Sequence, residues 1–256
     1  VLITLGVVLA KHRQRLENYG KLKDHSHLVR VNAFLELASD AGACRWMETR
    51  ADISDAIVTA SEAARDDDAQ VRRRLAYCLQ TFGYLAPDVT VGFLITLCQD
   101  ADLIVRSEAF NTLVSLGVTQ SDFAVLTTQA LNTLEHDGDS DTRIRVAASV
   151  ETISRDAPDA QAFALLSLLC LVDDDPVRDQ AFQVLSTLGT VAPELSIPSL
   201  QELCGSDDPE VRVRVVSTIE AIVAAVPNMH VFALLTPLAR DSVLRVRTRS
   251  FEALSF

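Results

Sequence analysis

The side chains of this sequence that could do chemistry are five cysteines, five histidines and a surplus of carboxylates. They offer nucleophilic or metal-binding thiols, imidazole ligands and clustered oxygen donors. Cys98, Cys170 and Cys204 each stand seven residues before a valine (Val105, Val177, Val211), and Ala64 and Ala239 hold the same place before Val71 and Val246. A position filled by Cys or Ala in turn calls for a small apolar side chain, so these thiols are expected in a core. Cys78, next to Leu79, reads the same way, and Cys44 is the one thiol expected to repay a test of reactivity. No CxxC and no zinc-type Cys/His spacing occurs, and five cysteines in 256 residues do not make a disulfide framework.

The acidic runs are Asp66-Asp67-Asp68, Asp137 to Asp141 and Asp173-Asp174-Asp175. A calcium loop needs a glycine at its sixth place and a glutamate at its twelfth, and Asp137-Gly138-Asp139-Ser140-Asp141 offers neither. Helix capping is the expected role. His12, His25, His27, His136 and His230 form no repeated set. GxSxG, Walker, HExxH and GxGxxG patterns are all missing. The sequence therefore predicts no enzyme, with no catalytic, cofactor-binding or metal residue and no cofactor.

The elements that carry these residues form a repeat. V-R-x-x-A-F-x-x-L occurs from Val29-Arg30, Val105-Arg106 and Val177-Arg178, and with Ser250 for Ala from Val246-Arg247. Looser copies begin at Val71-Arg72, Ile144-Arg145 and Val211-Arg212. The starts near 29, 71, 105, 144, 177, 211 and 246 are 33 to 42 residues apart. Apolar residues at i, i+4 and i+8 line one stripe of a helix, here named helix B. Three residues before the V position stand Asp68, Asp102, Asp141, Asp174 and Asp208, read as N-caps that satisfy open N–H groups and suit the helix dipole. Ser26 takes that place in the first copy. Pro87, Pro158, Pro193 and Pro227 mark the start of a preceding helix A, since the first turn tolerates proline. Each unit is thus helix A, an acidic turn, helix B and a link. Such a pair cannot bury its apolar face alone, so stacking is required, and seven pairs would make a rod of about 60–70 Å.

Composition agrees. Hydrophobic residues make up 48% and aromatics 5%, so the core is aliphatic, and 9 glycines and 8 prolines suit helices better than a sandwich. The net charge of −12, with a single tryptophan, argues against nucleic acid as a partner.

A unit of this length with D-x-x-V-R at its turn resembles the HEAT repeat, including the shorter repeats named after phycobilisome lyases. The resemblance spans residues 24 to 256, with 1–23 as a capping helix. It implies an all-α, right-handed α-solenoid of six to seven antiparallel helix pairs over 1–256. It also implies a structural ladder joining Asp68, Asp102, Asp141, Asp174 and Asp208 with Arg72, Arg106, Arg145, Arg178 and Arg212. In such stacks the B helices line the concave face, where Arg74, Arg214 and Arg249 form a broken basic stripe suited to an acidic peptide or phosphate. Trp46, in about eight extra residues of the first unit, is a further candidate contact. HEAT-type deoxyhypusine hydroxylases hold iron with His-Glu pairs, and this sequence has no His-Glu dipeptide. The scarcity of lysine resembles that of proteins from salt-loving prokaryotes, haloarchaea among them.

The leading expectation is a monomeric, cytoplasmic scaffold that binds a protein or peptide partner. One alternative is a lyase-like accessory protein that handles a cofactor. Another is the soluble part of a membrane-anchored regulator, with apolar Val1 to Ala10, followed by basic Lys11 to Arg15, as the remnant of a span.

Overall fold

The computed structural model describes residues 10, 13–18, 20–38, 54–83, 86–119, 121–134, 139–156 and 158–255. The insert around Cys44 and Trp46, and the apolar run at 1–9, lie outside these residues. The chain is helical with no strand among the described residues, and it divides into two compact units, 1–130 and 131–256.

In the first unit, residues 13–18 and 20–21 are helical and lead to α1 (His27–Ala38). Then come α2 (Ser54–Ala63), α3 (Ala69–Phe82), α4 (Pro87–Cys98) and α5 (Leu103–Thr119). Helix α6 (Ser121–Leu134) contains the division between the units. The second unit continues with α7 (Ser140–Ser154), α8 (Ala160–Cys170), α9 (Asp175–Val191), α10 (Pro193–Cys204) and α11 (Pro209–Ala225). It ends with α12 (Met229–Ala233), α13 (Leu235–Leu238) and α14 (Leu244–Leu254). The B helices are α1, α3, α5, α7, α9, α11 and α14. Within each unit, consecutive B helices pack side by side: α1 on α3 and α3 on α5, then α7 on α9, α9 on α11 and α11 on α14. Within each unit the A helices α2 and α4, then α8, α10, α12 and α13, pack against neighbouring B helices. The last A helix is split in two because Pro237 has no N–H to offer the Ala233 carbonyl.

The repeat stripe forms the core. Five residues after the V position lie Phe34, Ala76, Phe110, Phe182 and Val216, all buried, and three further on lie Leu37, Leu79, Leu113, Leu185 and Ile219. Phe34 and Phe82 meet edge to face, with centroids 5.4 Å apart at 77°, a geometry worth about 1 kcal/mol beyond area burial. Gly189 lets α9 and α11 approach closely, because a Cβ there would stand 2.4 Å from Ile222 Cδ1.

One copy is out of the expected register. Its cap is Asp139, not Asp141, and helix α7 begins at Ser140. Thr142 is buried and Ile144 half-buried, so Thr142-Arg143 takes the place read as Ile144-Arg145. Thr142 can sit inside because its hydroxyl donates to Asp139 Oδ2 at 3.0 Å. The starts then fall at 105, 142 and 177, steps of 37 and 35.

No helix among the described residues is long and apolar enough to cross a membrane.

Candidate functional site

The A-to-B turns concentrate the charged side chains. Most are built from Asx-turns, in which an aspartate accepts the N–H two residues on. Five residues before the V position, Asp24, Asp66, Asp100 and Asp241 accept from Ser26, Asp68, Asp102 and Val243 at 2.8 to 2.9 Å. Three residues before it, Asp68 caps Gln70 N, Asp102 caps Ile104 N and Val105 N, Asp174 caps Val177 N, and Asp208 caps Glu210 N.

The arginine after the V position joins two structures. One nitrogen closes its own turn: Arg72 Nη1 donates to the Asp66 and Asp67 carbonyls at 2.6 and 3.1 Å. Arg30, Arg106, Arg212 and Arg247 repeat this on the carbonyls six and five residues back. Arg178 reaches Val172 O with Nε and Nη2. The other edge crosses to the next hairpin. Arg72 grips Asp100 through Nε (2.6 Å) and Nη2 (2.9 Å), and Arg212 grips Asp241 at 2.7 and 3.0 Å. Arg30 makes the same fork with Glu62 at 3.1 and 2.8 Å. Arg143 reaches Asp174 and Arg178 reaches Asp208, each at 3.2 Å.

The ladder partners therefore differ from those the resemblance implies. Asp100 and Asp241, five before the V position, take the bridge from Arg72 and Arg212, Asp102 only caps, and Val243 stands at the cap place of the last hairpin. Where the position five before V is Val172 or Ser206, the cap Asp174 or Asp208 does both. Asp68 and Asp102 hold backbone N–H groups, while the partner of Arg72 is Asp100. In the shifted copy Arg143 takes the ladder place expected of Arg145, and Asp141 lies in the first helical turn.

Burial opposes ionisation of Asp100, but the Arg72 hydrogen bond, the Asp102 N–H and nearby positive charge outweigh it and hold the carboxyl below its ordinary value. The Arg212 hydrogen bond lowers Asp241 against its desolvation. At Asp174 the Ser140 hydroxyl contributes most to the lowering. Arg30, Arg72 and Arg212 are raised, first by their carboxylate hydrogen bonds.

The basic stripe is neutralised. Arg74 pairs with Glu36 at 2.5 Å, Arg214 with Asp179, and Arg249 with Glu220, each partner on the preceding B helix. What remains on the outer face of the B helices is mixed in character. In the first unit a groove of about 340 Å³ is lined by Gln70, Arg73, Arg74, Tyr77 and Glu108, with Tyr77 60% exposed. In the second, a groove of about 650 Å³ is lined by Val213, Leu244, Arg245, Thr248, Arg249 and Glu252. Periodicity does not single out Tyr77, because its place in the repeat is polar or small in most copies.

The thiols are set in the helical layers. Cys78, Cys98 and Cys170 are buried and Cys204 is half-buried. Burial pushes Cys78 and Cys204 up to about 11, and Cys170 higher. Among the described residues no group of three His, Cys, Asp or Glu is arranged to hold a metal.

No family model matches the chain, and no curated protein matches it. Solved structures do. A Kap121p mutant superposes with a TM-score of 0.60 at 14% identity, over 94% of this chain and 29% of that one. The chain thus spans less than a third of that protein. A designed armadillo repeat protein matches at TM-score 0.40 and 16% identity, over 78% of this chain and 98% of that one. An engineered protein of the Northeast Structural Genomics Consortium matches at 0.46 and 17%, over 94% and 67%. The likeness shows the fold alone, an all-helical α-solenoid.

Proposed function

We propose that this chain is a non-catalytic scaffold of HEAT type that takes a protein or peptide partner on the outer face of its B helices. The observation that carries the reading is Tyr77. A large aromatic stands exposed among Arg73, Arg74 and Glu108 on a face whose other charges are already paired. Aromatic and arginine side chains are the usual anchors of protein interfaces. Because Arg74, Arg214 and Arg249 have carboxylate partners, the fitting ligand is not a simple polyanion. It is an amphipathic segment with an apolar anchor and charges of both signs.

The test places a photo-crosslinking residue at Tyr77 or Thr248 on the B face, and at exposed Val58 on α2 as control, in cells of the source organism. The expected result is one recurrent adduct from the B-face positions alone. Adducts from Val58 as strong as those from Tyr77 would overturn the reading, as would no adduct from any B-face position.

A further inference from the structure

One B helix of the first unit departs from the repeat on its outer face. Two residues after the V position α3 carries Arg73, where the other B helices have Val31, Ser107, Ile144, Asp179, Val213 and Thr248. Six residues after it stands Tyr77, where they have Leu35, Asn111, Ala148, Gln183, Ser217 and Glu252. A cation and an aromatic therefore share one face of α3, at i and i+4, and of no other B helix. Both are open to solvent, Tyr77 at 60% and the Arg73 side chain at 47% exposure, so packing of the core calls for neither residue type.

Arg73 is also held more loosely than the arginines around it. Arg74, Arg214, Arg245 and Arg249 are in close contact with Glu36, Asp179, Glu210 and Glu220. Arg73 meets Glu108 of α5 only through Nε, at 3.5 Å. Among the described residues its two Nη groups have no acceptor, and the side chain of Gln70, one turn earlier, has no hydrogen-bond partner. Gln70, Arg73, Tyr77 and Glu108 line one groove of about 340 Å³.

These groups define a ligand chemistry. A guanidinium with an open edge takes a carboxylate through two parallel N–H···O bonds. The Tyr77 ring offers an apolar face about 6 Å further along the helix axis. Glu36 and Glu108, beside the two arginines, repel a second negative charge and favour a basic residue near the first. An extended segment matches the spacing, since its alternate residues stand about 6.6 Å apart on one face. It also has free main-chain N–H and C=O groups for the Gln70 carboxamide, which the middle of a helix lacks.

We propose that the groove between α3 and α5 takes an extended segment of a protein partner in which one aspartate or glutamate stands two residues from an aromatic or long aliphatic side chain. The carboxylate lies on Arg73 and the apolar group on Tyr77. The motif rests on the B-face reading and gives that face a sequence preference.

Short random peptides displayed on phage and selected against the full chain test it, with Arg73→Glu and Tyr77→Ala as variants whose folding is checked by circular dichroism. The wild-type pool should be enriched in an acid two residues from an apolar side chain. Arg73→Glu should weaken binding of those peptides about tenfold or more, and its own pool should carry lysine or arginine in place of the acid. Tyr77→Ala should lose the apolar preference. A wild-type selection that yields no such motif would overturn the proposal, as would an Arg73→Glu pool with the same sequences as the wild-type one. Peptides that ignore Arg73→Glu but crosslink at Thr248 would sink the motif and leave the B-face reading standing. Peptides that crosslink at Val58 and at no B-face position would sink both.

Discussion

Arg72→Met keeps the aliphatic stem and removes the guanidinium from the best-formed rung in the first unit. Two consequences follow at pH 7. Asp100, whose side chain is 9% exposed, keeps its Asp102 N–H but loses a two-point bridge. The Asp66 and Asp67 carbonyls lose their donor. Fully exposed pairs are worth up to about 1 kcal/mol, while stripping one partner from a buried pair costs about 3–5 kcal/mol. With Arg72 itself at 15% exposure, the pair lies near the buried end. Water reaches the stranded carboxylate, so we expect a loss of about 3 kcal/mol. The control is Arg13→Ala, which breaks the exposed pair with Glu17 and should cost less than about 0.5 kcal/mol. Urea denaturation gives the total, and amide exchange shows where it falls, which should be on α3, α4 and α5. At pH 4 the penalty should shrink, because the orphaned Asp100 can take up a proton. A loss under about 1 kcal/mol, indistinguishable from that of Arg13→Ala, would refute the view that the ladder holds neighbouring hairpins together.

Three further outcomes are expected. Asp100 and Asp241 have folded values below their unfolded ones, so their stabilisation is complete above about pH 4 and is lost as pH falls through the folded values; Asp100→Asn and Asp241→Asn should flatten the acid limb of a stability profile below pH 4. Cys78, Cys170 and Cys204 should resist Ellman's reagent at pH 8 in the folded protein and react at once in urea, since burial keeps them protonated. Gly92→Ala, with open space around a Cβ, should raise stability by about 0.5–1 kcal/mol, while Gly189→Ala, which would press on Ile222, should lower it by about 1–3 kcal/mol on thermal unfolding.

The helical repeat was legible because the V-R pair and the aspartate three residues earlier do local work: the valine enters the core, and the aspartate caps the helix a few residues away. Asp68, Asp102, Asp174 and Asp208 take that role in the structure. The fourth copy misled for an instructive reason. Ile144-Arg145 looks more like V-R than Thr142-Arg143 does, but Thr142 satisfies its hydroxyl on Asp139 and so passes for an apolar residue inside. Asp139, three residues before Thr142, was the signal that fixed the true register. The bridges were harder to read. Arg72 and Asp100 are 28 residues apart, and the choice between Asp100 and a cap aspartate depends on which residue occupies a turn position in the next hairpin. No periodicity within one unit carries that information. The pairing of Arg74, Arg214 and Arg249 was hidden likewise, because their carboxylates sit on the preceding B helix.

The paired Asx-turns act as a ruler. In most hairpins a carboxylate or hydroxyl meets an N–H two residues on, as at Asp66, Asp100 and Ser206, and the arginine reaches the carbonyl six places back, so the stretch from A to B varies little in length. It holds four or five residues in every described pair, whereas the stretch from B to the next A ranges from a single residue at 120 or 192 to fifteen at 39–53. Insertions and deletions are thus confined to one edge of the stack. New loops can accumulate there without disturbing the hairpin that precedes them or the one that follows, and the opposite edge stays closed to such growth.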